Sequence, residues 1–354
     1  MTNDNTQTIQ DQVQQALEKH HPLSIHGSGS HQFMLPDYTE NLKIELSTHR
    51  GIIDYQPSEL TLKARSGTPV NEIRKLLSEQ NQRLATDFPV YAESATLGGA
   101  IAIGHTGSGR PYLGAIRDHI LGASLINGAA ELVSFGGQVM KNVAGYDVSR
   151  LITGSRGTLG PILDISLKVL PAPQQSVTVF FEMKENRAIN LMNEMSGKSL
   201  PITASAFLKN KMYIRLEGTQ AGISQAQQTL GGENLDDSKS FWLSIQQQTH
   251  DFFTTGHSLW RVIVPATTPR LELECKHRSL IDWCGGLRWI QSDEVSQSDF
   301  IHISNVGGYI ESHRSEKPTN PADLMSPLQR QMHMKIKNAF DPDNLLNPKL
   351  SNFT

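Results

Sequence analysis

Apolar positions in the first eighty residues follow two periods. Ile9, Val13, Ala16 and Leu17 share one face of a 3.6-residue repeat, so an amphipathic helix opens the chain and Pro22 ends it. "PLSIHGSGSHQF" reads as a short strand that turns through Gly27, Ser28, Gly29 and Ser30. "NLKIELST" and "GIIDYQPSELTLKARSGT" read as further strands, with Leu60, Leu62 and Ala64 alternating with polar residues. "TPVNEIRKLLSEQ" returns to helical spacing. Its buried stripe is Val70, Ile73, Leu76 and Leu77, with Thr68 as N-cap and Pro69 in the first turn.

Between Thr96 and Leu170 small, β-branched and glycine residues take over, and the stretch ends in the strand "PILDISLKVLP". Pro171 and Pro173 mark a boundary. Beyond it come a strand, "SVTVFFEM", and a helix, "KENRAINLMNEMSG". The strands "ITASAFLKN" and "KMYIRLEG" follow, joined by a tight Asn210-Lys211 turn, and then the helix "TQAGISQAQQTLGG". This β-α-β-β-α order predicts a ferredoxin-like antiparallel sheet covered on one face. "SLWRVIVPA", "TPRLELECKHRSLIDWC", "LRWIQS" and "DFIHISN" repeat the theme. "SPLQRQMHMKIKNAFDPDNLLNPKL" predicts a last helix closed by an Asp-Pro turn.

Length and composition narrow the function. A chain of 354 residues accommodates two domains, and a 38% hydrophobic share is that of a globular protein. The formal charge of -3 argues against a nucleic-acid reader, which carries a basic excess. Cys275 and Cys284 fit neither a zinc ribbon nor an iron–sulfur run, so we expect two reduced thiols and no metal. The polar N-terminus lacks a secretion signal and no run is apolar enough for a membrane span, which predicts a cytoplasmic protein.

The glycines demand a reason. Tight turns explain one or two per connection. They explain less well why Gly27 to Ser30 and Gly98 to Gly160 are both rich in glycine and hydroxyl residues. Bare amides in succession form a concave anion site. Each hydrogen bond to a charged oxygen contributes about 1.5–3 kcal/mol, enough for several to hold a pyrophosphate. The usual nucleotide fingerprints are absent. Gln32 stands where a Rossmann turn has its third glycine, and no Gly-Lys-Ser/Thr follows "GSRGTLG".

Four motifs occur in order: "ATLGGAIAIGHTGSG", "YLGAIRDHILGASLINGAAEL", "KNVAGYDVSRLITGSRGTLGPILDISLKVLP" and "FDPDNLLNP". Together they resemble the flavin-binding subunits of the p-cresol methylhydroxylase and vanillyl-alcohol oxidase superfamily, and within it the FAD-binding (E) subunits of bacterial glycolate oxidase. The likeness is strong over residues 20–171, extends to the tail around 327–350, and holds only in outline over 175–310.

The resemblance implies an α+β fold. A PCMH-type FAD-binding domain would span residues 1–173 and a ferredoxin-like cap 174–312. Residues 313–354 would return to pack on the FAD domain. The resemblance implies FAD, with His26, Gly27, Ser28, Gly29 and Ser30 as pyrophosphate loop. Thr96, Gly98, Gly99, Gly104, Thr106 and Gly107 would run beneath the flavin. Asn142, Gly145, Tyr146 and Asp147 would lie beside the ribityl chain, and Gly157, Thr158, Gly160 and Ile162 would meet the ring or adenine side. Arg117 and Asp118 would order their loop rather than touch the ligand. Some relatives attach FAD through a histidine directly after the first glycine cluster. Here Ser30 holds that place and the histidine is His31, one residue on. On an extended loop that shift turns the ring away, so non-covalent FAD is expected.

The chemistry is less legible. Oxidation of a 2-hydroxy acid needs an arginine for the carboxylate and a base for the hydroxyl proton. The family's Gly-Asp-Gly-Asn motif is absent from "FIHISNVGGYIESH", leaving Arg261 and His302 as weak candidates. His313 is as weak a candidate as His302, and Arg288 shares the pocket-or-solvent ambiguity of Arg261. His333 and Lys335 lie on a helix that the resemblance places against the flavin domain but that also reads as a solvated face, and Tyr309 carries no firmer reading. The chain has too few cysteines for a cluster of its own, and the resemblance implies a separate iron–sulfur subunit and a larger, catalytic FAD-binding subunit. That complex would oxidise glycolate to glyoxylate and dock on the inner membrane, if at all, only through its partners. Two alternatives stay open: a self-sufficient dehydrogenase of a small 2-hydroxy acid such as D-lactate, and a scaffold subunit that has lost FAD.

Overall fold

The computed structural model describes residues 3–35, 41–137, 148–315 and 325–350. The chain divides into two compact units. One comprises residues 1–105, 115–172 and 320–354, the other residues 106–114 and 173–319.

In the first unit, helix α1 (Thr6–Lys19) buries Ile9, Val13 and Ala16. They pack on β1 (Leu23–His26) and β2 (Leu42–Glu45), a parallel pair whose Leu23 and Ile44 join the same cluster. A second sheet runs in the order β3 (Ile52–Gln56), β4 (Thr61–Arg65), β8 (Ile162–Pro171), β6 (Ile120–Ile126), β7 (Leu132–Gly136). The short β5 (Gln82–Leu84) pairs with β8. All these pairings are antiparallel. On this sheet lie α2 (Val70–Glu79), through Val70, Ile73 and Leu77, and α3 (Leu97–Ile103), through Leu97, Ala100 and Ile101. Thr68 does not cap α2. Its hydroxyl exchanges hydrogen bonds with the backbone of Gly51 (2.9 and 3.2 Å), which clasps the strand side of the turn instead.

The second unit holds one eight-stranded sheet. Its first half contains β9 (Gln175–Glu182), β10 (Ile202–Leu208), β11 (Lys211–Gly218) and β12 (Glu233–Asn234) in the order β12-β9-β11-β10. Helices Glu185–Ser196 and Gln220–Leu230 make the two crossovers, which is the ferredoxin-like arrangement. The β10–β11 turn is centred on Lys209 and Asn210, both left-handed, one residue earlier than the sequence suggests. The second half contains β13 (Leu259–Ile263), β14 (Arg278–Asp282), β15 (Leu287–Gln291) and β16 (Tyr309–Arg314), in the order β14-β15-β13-β16. "DFIHISN" is the helix Gln297–Asn305 before β16. Numbered within each half, the strand orders are 4-1-3-2 and 2-3-1-4. The sheet is thus two mirrored copies of one order, joined where β10 meets β14.

Residues 106–114 belong to this second unit for identifiable reasons. Ser108 Oγ donates to Asp282 (2.8 Å), Trp283 Nε1 donates to Gly107 O (2.9 Å), and Tyr112 lies 3.0 Å from Cys284 Sγ and 3.3 Å from Ser205 Oγ. Trp283, Cys284 and Gly285 are consecutive left-handed residues, so the turn is strained at two non-glycine positions. Cys275 and Cys284 are free and buried. Among the described residues no helix is long and apolar enough to cross a membrane.

Candidate functional site: a glycine-walled cleft

Three chain segments distant in sequence meet in a cleft within the first unit. The first wall is the loop that leaves β1 after His26. Gly29 is left-handed (φ 78°), and its carbonyl accepts from Gln32 N (3.0 Å), which folds the chain into a single 3₁₀ turn. The amides of Gly27, Ser28, Gly29 and Ser30 donate to no acceptor among the described residues. A Cβ on Gly29 would meet nothing within 4 Å, so this glycine faces open space.

The second wall is the start of α3. Thr96 is its N-cap, the hydroxyl accepting from Gly99 N (3.2 Å). Here the bare-amide expectation fails, because Gly98 N already donates to Ser66 O (2.7 Å). These glycines serve close packing. A Cβ on Gly98 would lie 2.6 Å from Ser66 Cβ, and one on Gly27 would lie 2.6 Å from Thr96 Oγ1. The third wall is the Arg156–Gly160 turn with the start of β8. Gly160 (φ 141°) lies so close to β6 that a Cβ would reach Ile126 O at 2.1 Å.

Of the residues expected at the cofactor, the cleft gathers His26, Gly27, Ser28, Gly29, Ser30, Thr96, Gly98, Gly99, Gly157, Gly160 and Ile162. Others lie elsewhere. Gly104 ends α3 in a left-handed cap and is bare because Gly154 packs on it, 2.9 Å from where a Cβ would stand. Thr106 and Gly107 belong to the second unit. Thr158 turns away, its hydroxyl on Ser155 O (2.7 Å) and its carbonyl accepting from Lys337 Nζ (2.8 Å). Asn142, Gly145, Tyr146 and Asp147 lie outside the described residues. Asp118 accepts from Ala115 N (2.8 Å) with Arg117 beside it, and so orders the turn before β6.

The cleft also contains side chains that sequence reasoning missed. Ser66 is buried to 1% exposure, and its hydroxyl, like that of Ser28, has no hydrogen-bond partner among the described residues. His31 lines the cleft as well, because the loop turns rather than extends there. The reason for expecting the ring to point away therefore fails. Its Nδ1 lies 3.0 Å from Ser30 Oγ, its ring meets Tyr91 edge-on at 5.2 Å, and burial pushes its pKa down to about 4. His26 is also lowered, by burial first and then by Lys43. Both rings are therefore neutral near pH 7.

Arg156 adds a cation, and no aspartate or glutamate lines the cleft among the described residues. Unpaired amides, two hydroxyls without a partner among the described residues and the Arg156 cation fit a dianionic pyrophosphate. The apolar side chains Ile25, Leu46, Ala102, Ile103 and Ile162 fit the less polar parts of a dinucleotide.

The weak catalytic candidates Arg261 and His302 both lie in the second unit. Arg261 is buried, donates to Glu311 (2.6 Å) and lies 5.2 Å from the Trp283 ring. His302 sits half-buried on the Gln297–Asn305 helix. His313 is buried against Trp289 and paired with Gln248 (2.9 Å). Arg288 is buried, bonds to the carbonyls of Gly285 and Thr268, and has its pKa pushed down to about 10 by burial. Tyr309, His333 and Lys335 are exposed.

The fold and this cleft define an FAD-binding protein, and the FAD binding domain family matches residues 2–136. The chain is 38% identical to glycolate oxidase subunit GlcE of Escherichia coli (strain K12) over 347 residues, covering 98% of this chain and 97% of that protein. It belongs to that family of glycolate oxidase subunits, among FAD-binding oxidoreductases, and its cofactor is FAD. A D-lactate dehydrogenase of Anaerostipes hadrus is 27% identical over 193 residues, but the match covers 51% of this chain and only 40% of that protein. Glycolate oxidase subunit GlcD of Bacillus subtilis (strain 168) is 26% identical over 185 residues, 51% of this chain and 39% of that protein. A solved structure of alkyldihydroxyacetonephosphate synthase shares the fold. Its TM-score is 0.68 at 16% identity, covering 96% of this chain and 75% of that one.

Proposed function

We propose that this chain is the FAD-binding subunit of a complex that oxidises glycolate to glyoxylate and passes the electrons to partner subunits. The partners would be a larger catalytic flavin subunit and an iron–sulfur subunit. The observation that carries the reading is the near end-to-end likeness to GlcE, in contrast with relatives whose own length this chain spans by only about two fifths. The unit of residues 1–105, 115–172 and 320–354 would hold the cofactor, and residues 106–114 with 173–319 would form the cap. Any membrane association would run through the partners.

FAD bound here would supply a redox centre able to take up and pass on the electrons that the catalytic partner withdraws from the substrate. The chain's own residues bind and orient it. Amides 27–30, Ser28, Ser66 and Arg156 hold the anionic centre, while Ile103 and Ile162 exclude water. We further propose that FAD is held without a covalent bond. His31 is committed to Ser30 and Tyr91, an arrangement that supports a packed rather than a linking role. Yellow cofactor remaining on the denatured polypeptide would overturn that point.

A second reading is favoured by the partial likeness to D-lactate dehydrogenase: a chain that oxidises a 2-hydroxy acid alone. Anaerobic titration of the isolated chain separates the two. The subunit reading expects glycolate and D-lactate to leave the flavin spectrum unchanged until partners are added. Rapid bleaching without them sinks it.

A further inference from the structure

The C-terminal tail touches two walls of the cleft through one side chain. After the Pro327–Phe340 helix, residues Leu345–Asn347 run beside β1. Leu23 N donates to Leu345 O (2.8 Å), and Asn347 N donates to Leu23 O (2.9 Å). Asn347 is buried and left-handed (φ 45°). Its Oδ1 accepts from Ile25 N (2.9 Å), in the strand that carries the first wall, and its Nδ2 donates to Arg156 O (2.7 Å), in the third. Gly157 lacks a side chain where that amide sits, since a Cβ would lie 2.6 Å from Asn347 Nδ2.

The contact is held rigidly. Lys337 Nζ, itself buried, donates to Thr158 O (2.8 Å), Leu346 O (2.7 Å) and Asp341 (2.5 Å), and Asp341 accepts from the amides of Leu345 and Leu346. The turn beyond the cleft and the tail are thus tied to one ammonium group.

We propose that Asn347 is a positioning residue for FAD: it sets the spacing between the His26–Gly29 loop and the Arg156–Gly157 turn, and so the width of the anion site. A primary amide suits the task because one planar group donates to one wall and accepts from the other. The inference rests on the reading that this cleft holds FAD.

The test uses the full-length chain stripped of FAD, with FAD itself as probe. Dissociation constants are measured for wild type, Asn347→Gly and Asn347→Asp at a temperature where circular dichroism shows each folded. Glycine keeps the left-handed backbone and removes the bridge. Aspartate keeps the contact to Ile25 but sets an oxygen against Arg156 O. Both variants should bind FAD at least tenfold more weakly while remaining folded. Affinities within twofold of wild type overturn the proposal. So does unfolding of both variants, since the residue would then hold the fold and not the wall spacing. A wild-type chain that binds no FAD refutes the reading of the cleft and leaves the tail contacts as they are.

Discussion

Ser66 and Gly98 touch where β4 hands over to the chain and α3 begins. Gly98 N donates to Ser66 O at 2.7 Å, and a methyl group on Gly98 would stand 2.6 Å from Ser66 Cβ. Two backbones meet there, with no flexible side chain to yield.

Gly98→Ala therefore overpacks a buried contact and should destabilise the FAD-free chain by about 1–3 kcal/mol. Gly29→Ala differs in kind. Its Cβ enters open space, but φ of 78° is unfavourable for alanine, at a cost of about 1–2 kcal/mol. Urea melts of the two variants with and without FAD check this. The Gly29 variant should also bind FAD less well if, as proposed, its amide neighbours form the anion site. Equal, near-zero effects would overturn both the close packing at Gly98 and the left-handed backbone at Gly29.

Ser66→Ala removes a buried hydroxyl that has no partner among the described residues. Loss of an unsatisfied group should leave the FAD-free chain as stable as before, or slightly more so. If that hydroxyl bonds FAD, affinity should fall roughly three- to tenfold, corresponding to about 0.5–1.5 kcal/mol. Isothermal titration decides it, and an unchanged affinity removes Ser66 from the site.

Acid should loosen the cleft through His31. In the folded chain burial holds its pKa at about 4, against 6.5 ordinarily. Between those values the unfolded chain binds more protons, so stability rises with pH. His31's contribution is complete above about pH 6.5 and is lost as the pH falls toward 4, by at most about 3 kcal/mol. His31→Gln should flatten that slope of unfolding free energy between pH 6.5 and 4. Identical slopes in variant and wild type would count against it.

Lys337→Met strands the Asp341 carboxylate in the interior and deprives Thr158 O and Leu346 O of their donor. Breaking one side of a buried pair costs about 3–5 kcal/mol, and the loss should appear in denaturant unfolding of the FAD-free chain. A change below about 1 kcal/mol would mean that the ammonium is solvated.

Much of this was legible in one dimension. The 3.6-residue stripes of α1 and α2, the alternation of β4 and the strand–helix order after Pro173 are local patterns, fixed by which face of each element must leave water. The glycine sets pointed to the right cofactor, though the physical reason divides. Gly29 is bare toward the cleft, whereas Gly98, Gly104 and Gly157 are bare because Ser66, Gly154 and Asn347 occupy the space. A sequence shows that a side chain is missing but not what stands in its place.

By itself, then, the sequence determined the elements, their order and the glycine- and hydroxyl-rich composition of the loops, because those depend on neighbours within a turn or two of chain. Only the tertiary structure decided that Ser66 and His31 face the cleft. Only it decided that residues 106–114 join the second unit, and that Asn347 closes on Ile25 and Arg156. Those outcomes depend on which distant backbones pack closely enough to exclude water and share a hydrogen bond, and no local pattern encodes that distance.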